Sequence, residues 1–470
     1  MSIAIHWFRR DLRITDNTAL NAALATHDEV IPLYILSEWK RKHHWCGPAR
    51  QEFLCGCLES LEQNLRRKGG RLIVRQGSAE TVLARLIRES GAEAIYFNRD
   101  PDPFGRNMEA QIEKMAGNLG VSVHACKDIA LVERDELLTG SGTPFRVFTP
   151  YAKAWHRLDK AAPGKTVAKI SVPAAIKSEP LPTLATWGLK HEAEIIQPGE
   201  AAARKRLAHF LDGPAFEYAA QRDRPAHDGT SRLSQDLRFG TLSIREIYAK
   251  CQAVSKKTSS ANARRSLATF VNELVWREFY LQVLWFHPDV LTQEYQEAYR
   301  DLRWRDHWRP GEKPGGETFE CWCRGETGFP IIDAGMRQLN ATGFMHNRVR
   351  MIVAMFLTKD LHIWWMHGES YFMQRLVDGE IASNNGGWQW SASTGTDAAP
   401  YFRIQNPWSQ TRRFDPDGEY IKRWIPELRD VPPAKLCLPP TPGMRLAKSY
   451  GLPIVDHQRE RDIALDMFRR

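Results

Sequence analysis

With 470 residues, 43% of them hydrophobic and 26% charged, the chain can build one or more real cores, and a disordered or fibrous protein is excluded. Its net charge of +9 permits a phosphate-binding face without demanding one. No segment approaches the roughly 18 consecutive apolar residues of a membrane helix. The N-terminus MSIAIHWFRRDLRITD meets charge too early for a secretory leader and acid too early for a transit peptide, so a cytoplasmic, prokaryotic protein is expected.

The first 130 residues alternate short apolar runs with helical patterns. IAIHWF (3–8), VIPLYIL (30–36), RLIVRQ (71–76), AIYFN (94–98) and VSVHA (121–125) read as buried strands. The segments between them read as helices, and Gly69, Gly70, Gly91 and Gly120 fall where C-cap glycines belong. This alternation predicts an α/β domain, residues 1–130, with a doubly wound, parallel, five-stranded sheet. No G-x-G-x-x-G follows the first strand and no G-x-x-x-x-G-K-[ST] occurs anywhere, which argues against the usual dinucleotide or triphosphate sites.

Residues 131–198 lose periodicity and carry Pro163, Pro173, Pro180, Pro182 and Pro198, as expected of an interdomain connection crossing the surface. From 199 to 470 the pattern predicts an all-α domain. Ser243 and Glu246 have capping-box spacing. ANARRSLATFVNELVWREFYLQVLWF and VRMIVAMFLTKDLHIWWMHG read as long helices, and a last helix is expected near 457–469.

The eight cysteines include two C-x-C pairs, Cys55/Cys57 and Cys321/Cys323, without the company that a zinc site needs; reduced thiols and no metal are expected. Of sixteen tryptophans, eleven lie between Trp276 and Trp424. Indoles are good core residues, but their crowding hints at aromatic chemistry.

Four blocks carry that hint further. YAAQRDRPAHDGTSRLSQDLRFG (218–240) offers Thr230, Ser231 and Ser234 hydroxyls at a helix start, either as a phosphate cradle or as plain N-caps. NELVWREFY (272–280) puts Glu273, Trp276 and Arg277 on adjacent turns of one helix, a mixture that suits a ligand cavity better than a dry core. GFMHNRVRMIVAMFLTKDLHIWW (343–365) carries Asn347, Arg348, Arg350 and Met351. DGEIASNNGGWQW (378–390) gathers acids, amides, glycines and two indoles.

In this order, and with FRRDLR at 8–13, the blocks resemble the photolyase/cryptochrome family over essentially the whole chain, and within it most the class I cyclobutane pyrimidine dimer DNA photolyases. The resemblance implies a helical domain holding FAD folded into a U, active in its reduced form, FADH-. By motif match, Tyr218, Thr230, Ser231, Arg232, Leu233 and Ser234 surround its phosphates and nearby groups, with Glu273, Arg277 and Asn347 also among the FAD-binding residues. Asn384 faces the reactive central-ring nitrogen. Asp378 pairs with Arg350 beside the isoalloxazine, and Glu380, where many relatives have Asp, lies near the pyrimidine edge. A neutral amide at Asn384 suits a flavin kept reduced and anionic, because a carboxylate there disfavours a negative ring.

The same resemblance implies UV-damaged DNA as partner. Asn347 and Met351 stand where enzymes for (6-4) lesions use two histidines, whereas His346 matches a histidine common to both branches, so cyclobutane dimers are the expected lesion. A dimer pairs poorly and is extruded at lower cost than a normal base. Trp276 and Trp390 are expected to stack on it, Met351 to pack nearby, and Glu273 and Asn347 to hydrogen-bond the pyrimidine edges, Glu273 also stabilising or protonating the radical anion. Arg222, Arg348 and Arg403, with Lys153, are expected on flanking phosphates. Trp388, Trp365 and Trp304 match the family's electron-transfer chain, with Trp308 as an alternative terminus. RDPDPFGRN (99–107) and GPARQEF (47–53) look most like deazaflavin-binding relatives, so an 8-hydroxy-5-deazaflavin antenna is favoured over methenyltetrahydrofolate, with Arg10, Arg50, Asp100 and Arg238 as candidate contacts. A light-signalling cryptochrome without repair activity is the alternative. A monomer is expected, because recognition of one lesion needs no partner copy.

Overall fold

The computed structural model describes residues 1–37, 45–305, 316–396 and 403–469. Their contacts divide the chain into two compact units. The first comprises Met1–His191, Ile196–Phe216 and Ser231–Pro288, and the second Glu192–Ile195, Glu217–Thr230 and Asp289–Arg470.

In the first unit β1 (Ile3–Phe8), β2 (Glu29–Leu36), β3 (Ile73–Gln76), β4 (Ala94–Asn98) and β5 (Ser122–Cys126) form the predicted parallel sheet in the order β3-β2-β1-β4-β5. The strands read as apolar runs because helices cover both faces of such a sheet. Ile5 pairs with Ile31 on one side and Ile95 on the other, and packs with Leu33, Ile73, Phe97, Leu83 and Ile112. Side chains start the connecting helices: Asn17 caps Thr18–Thr26, Ser78 caps Ala79–Ser90, and Asp102 caps Pro103–Asn118. Gly91 ends a helix in the left-handed conformation with φ +68°, as its position predicts.

The FRRDLR stretch leaves the carboxyl end of β1 and is largely scaffold. Asp11 accepts from the backbone of Arg9 (2.7 Å) and from the amides of Asn98 (2.7 Å) and Asn17 (3.0 Å). Arg13, buried, donates to Asp128 Oδ2 (2.6 Å) and to the carbonyl of Gly240 (3.1 Å), and Arg245 reaches Asp128 Oδ1 (2.7 Å). Gly240 has φ +64°, and a Cβ there would lie 1.9 Å from the Arg10 carbonyl oxygen. Helices Ser234–Phe239 and Ile244–Lys257 are thus pinned on the sheet's carboxyl edge. Ser243 does cap the second of them, but through the Arg245 N–H, and the expected reciprocal bond from Glu246 is replaced by pairs to Lys250 (2.8 Å) and Arg204 (3.2 Å). Two nearby cations outcompete a single backbone N–H for that carboxylate.

Residues 131–191 fold with this unit and contribute buried Leu131, Val132, Tyr151 and Trp155. Their helix, Phe148–Arg157, lies along the 26-residue helix Ala261–Phe286. Glu278 of the long helix accepts from Leu131 N (2.5 Å), Val132 N (3.1 Å) and Trp155 Nε1 (2.6 Å).

The second unit is helical, with Trp322, Leu339, Val349, Val353, Phe356, Trp365, Phe372 and Trp388 in one core. The single helix expected over 349–368 is interrupted. Asn347–Met355 passes into a wider π turn, Phe356–Asp360, then breaks at His362 (φ +55°) before Trp365–Arg375. Tertiary partners explain the break: buried Lys359 donates to the Ala392 carbonyl (2.7 Å) and Asp360 binds His457 (2.5 Å) on the last helix, His457–Phe468.

Candidate functional site

In the first unit, Arg10, Asp100 and Arg238 come from three distant stretches and meet: Arg10 Nη1 donates to Asp100 Oδ1 (2.9 Å) and Arg10 Nε to the Arg238 carbonyl (3.4 Å). Arg50 lies buried on helix Pro48–Arg67, which packs on the Arg238 helix through Phe53 and Phe239 (ring centroids 5.2 Å apart). Burial opposes ionisation of Asp100, but Arg10 and Arg9 outweigh it and hold the carboxyl below its ordinary value. Burial and the neighbouring Asp100 push Asp102 up to about 6.

Ser231, Arg232, Leu233 and Ser234 lead into helix Ser234–Phe239, whose N-cap is Leu233, without any side-chain cap bond. Simple capping by these hydroxyls is therefore not what the structure shows. Arg232 takes a left-handed φ of +50°. On helix Ala261–Phe286, Glu273, Trp276 and Arg277 are half-buried, and Arg277 Nη1 donates to the Ile129 carbonyl (3.0 Å). Phe148 stacks face to face on Trp276 at 3.6 Å.

In the second unit, His346 caps helix Asn347–Met355 by accepting from Arg348 N (3.2 Å). Asn347, the first residue of that helix, is exposed. Arg350 joins Asp378 at 2.9 Å, as the motif implies, and Oδ1 of that buried carboxylate has no partner among the described residues. Glu380 caps helix Ile381–Ala392 through Ser383 N (3.0 Å). The hydrogen-bond network orients the Asn384 amide: Nδ2 donates to the Glu369 carbonyl (3.1 Å), leaving Oδ1 for an outside donor. Burial pushes the Glu369 carboxyl up to about 8, against a hydrogen bond from Asn385 (3.0 Å). A Cβ at Gly387 would meet nothing within 4 Å among the described residues, so packing against them does not ask for glycine there.

Trp304, Trp365 and Trp388 are buried in one apolar cluster. Phe372 and Trp322 meet Trp388 edge-on at 5.0 and 6.1 Å. Trp365 and Trp364 both donate to Glu294 Oε1, at 3.1 and 2.9 Å. Trp308 lies outside the described residues. Tyr218 is buried, with the Arg222 guanidinium 5.5 Å from its ring; Thr230, Met351 and Trp390 are half-buried and Arg403 is exposed. Lys153, in the first unit, is exposed on helix Phe148–Arg157. Arg348 is held by Asp223.

Sequence reasoning missed Asp223, Phe148, Glu278 and Glu294. Asp223 had a signal, an acid between Arg222 and Arg224 inside a quoted block. The others had none, because their partners lie 70 to 147 residues away in sequence.

Known proteins share this pairing of a parallel α/β unit with a helical unit. The model for DNA photolyase matches residues 4–169, and that for the FAD binding domain of DNA photolyase matches residues 270–470. The deoxyribodipyrimidine photo-lyase of a Synechococcus strain is 40% identical, covering 96% of this chain and 93% of its own. A bacterial class III photolyase from Agrobacterium tumefaciens superimposes with a TM-score of 0.91 at 36% identity, covering 100% of this chain and 97% of that one. A Synechocystis cryptochrome does so with 0.90 at 27% identity, covering 99% of each. The chain belongs to the photolyase/cryptochrome family.

Proposed function

We propose that this chain is a light-driven DNA repair enzyme, a carbon–carbon lyase that reopens cyclobutane pyrimidine dimers. What carries the reading is full-length similarity to deoxyribodipyrimidine photo-lyases, at 40% identity for the Synechococcus protein, together with Asn347, Met351 and a neutral Asn384 at the positions that separate branches of the family.

The residues fit FAD. A buried Asp378 oxygen without a partner among the described residues, the open side of Gly387 and hydroxyls not spent on a cap suit a flat, hydrogen-bonding, phosphate-bearing group. When bound, reduced FAD supplies on excitation the electron that opens the cyclobutane ring. The chain's residues do the rest. Tyr218, Thr230, Ser231, Arg232, Leu233 and Ser234 hold the phosphate side, with Arg277 nearby. Arg350 keeps Asp378 in place beside the ring system, and Glu380 reaches its pyrimidine edge. Asn384 presents Oδ1 to a ring N–H. Trp276 and Trp390 stack on the extruded dimer, worth roughly 1–3 kcal/mol per base. Met351 packs beside it, and Glu273 and Asn347 hydrogen-bond its edges. Arg222, Arg348 and Arg403 bind flanking phosphates, with Lys153. Trp388, Trp365 and Trp304 carry electrons to oxidised flavin.

Arg10, Arg50, Asp100 and Arg238 hold an antenna pigment, an 8-hydroxy-5-deazaflavin in preference to methenyltetrahydrofolate, and the class I assignment rests on the same motifs. The enzyme acts as a monomer in a prokaryotic cytosol.

The test is an oligonucleotide carrying one thymine cyclobutane dimer, mixed with the reduced holoprotein. Repair in blue light and none in darkness is expected. No repair in light with flavin bound supports the cryptochrome reading instead.

A further inference from the structure

We propose that Phe148 is a positioning residue for dimer recognition: it backs Trp276 and commits one face of that indole to the protein, leaving the remaining surface for the lesion. This rests on the reading of Trp276 as a stacking platform.

The two rings are 3.6 Å apart and 5° from parallel, so one whole indole face is covered. Free aromatic pairs prefer offset or edge-on arrangements with centroids about 4.5–7 Å apart. A face-to-face sandwich therefore needs an external reason, and the fold supplies one. Phe148 opens the helix Phe148–Arg157, where its neighbours Val147, Thr149 and Pro150 are exposed. Further along the helix, Tyr151 and Trp155 are buried. Tyr151 meets Phe279 at 5.3 Å, and Trp155 Nε1 donates to Glu278 at 2.6 Å. Glu278 also holds the backbone of Leu131 and Val132. The segment is fastened to the long helix at points one and two turns from Phe148, which delivers the phenyl ring onto Trp276 and against the edge of Phe279 at 5.9 Å.

The indole is boxed further by Phe279, edge-on at 5.8 Å, and Tyr280 at 5.7 Å. Trp276 is still half-buried rather than buried, so it keeps surface for a ligand. A stacking platform already fixed in orientation loses little freedom on binding, and such preorganisation is read as affinity.

The experiment compares wild type, Phe148→Leu, Phe148→Tyr and Trp276→Ala as FAD-loaded full chains. Affinity is measured for a dimer-containing oligonucleotide and for its undamaged counterpart, with flavin content from absorbance and KM and kcat for repair in light. Phe148→Leu is expected to weaken dimer binding by roughly 2- to 10-fold, the range of an aromatic pair. KM rises, kcat, flavin content and undamaged-DNA affinity stay, and Phe148→Tyr behaves as wild type. Wild-type dimer binding by Phe148→Leu, beside a loss in Trp276→Ala, overturns the role of Phe148 alone. Equal losses on both DNAs, or lost flavin, make Phe148 merely structural and also overturn it. Wild-type binding by Trp276→Ala sinks the stacking reading itself.

Discussion

Asp223 Oδ1 accepts two hydrogen bonds from Arg348, at 3.1 Å from Nε and 2.7 Å from Nη2. The same guanidinium lies 4.6 Å from the Phe414 ring centroid, and its Nη1 is 3.5 Å from Met351 Sδ. The arginine proposed to bind a DNA phosphate is thus held by an acid that such a phosphate would displace or share. A partly exposed pair of this kind is worth roughly 0.2–1 kcal/mol. Asp223→Asn is expected to tighten binding to dimer-containing and undamaged DNA alike, by roughly 2- to 5-fold. Arg348→Ala should weaken both and lower the salt slope of log K by roughly 0.7–0.9. Anisotropy titrations across a salt series check this; weaker binding by Asp223→Asn would mean that the acid aims the arginine instead.

Asp128 takes one hydrogen bond from each of two buried arginines, Arg13 at 2.6 Å and Arg245 at 2.7 Å. Asp128→Ala leaves Arg13 without its counter-charge and Arg245 with Asp16 alone (3.0 Å), and should destabilise the first unit by about 3–5 kcal/mol. Burial opposes ionisation here, but the two guanidiniums hold the carboxyl below its ordinary value of 3.8. A depressed folded-state pKa contributes stability that is present above the unfolded value and lost as pH falls through the folded one. Melting curves below pH 4 should therefore show a steeper loss for wild type than for Asp128→Asn.

Glu369 has the opposite sign. Burial raises its carboxyl to about 8, so at pH 7 it is mostly protonated. Its contribution is full below the unfolded value of about 4.3 and is lost as pH rises through 8. Wild type should lose stability between pH 7 and 9 where Glu369→Gln, which keeps a neutral partner for Asn385, does not. Identical melting profiles for the two would show that this carboxyl is ionised.

Trp388→Phe should abolish light-driven reduction of oxidised flavin while repair by chemically reduced enzyme persists. Absorbance under illumination and the repair assay separate the two. Gly368→Ala should damage photoreduction by another route, because a Cβ there would lie 2.0 Å from the Trp388 ring and move it. Wild-type photoreduction in Trp388→Phe would take this indole off the path.

Much of the fold was legible because its signals are local. The strands are short, mostly apolar runs, and Gly91 ends its helix where the sequence places it. The interrupted helix after Met355 was not legible. Its apolar pattern runs on through Lys359 and Asp360, and only Ala392 and His457, brought in from elsewhere in the chain, explain a π turn. The capping box at Ser243 failed likewise, because Arg204 and Lys250 compete for Glu246.

By itself the sequence determined the α/β and helical layout, the family, and the residue types that chemistry on a flavin and a damaged base requires, since periodicity and motif order are written along the chain. Only the tertiary structure decided that Arg10, Asp100 and Arg238 meet, that Arg13 serves Asp128, that Asp223 restrains Arg348, and that Phe148 lies flat on Trp276. Each of these joins residues that no local pattern links. Their pairing follows from how the chain folds back on itself, where burial leaves a charge or a ring only the partners the fold delivers.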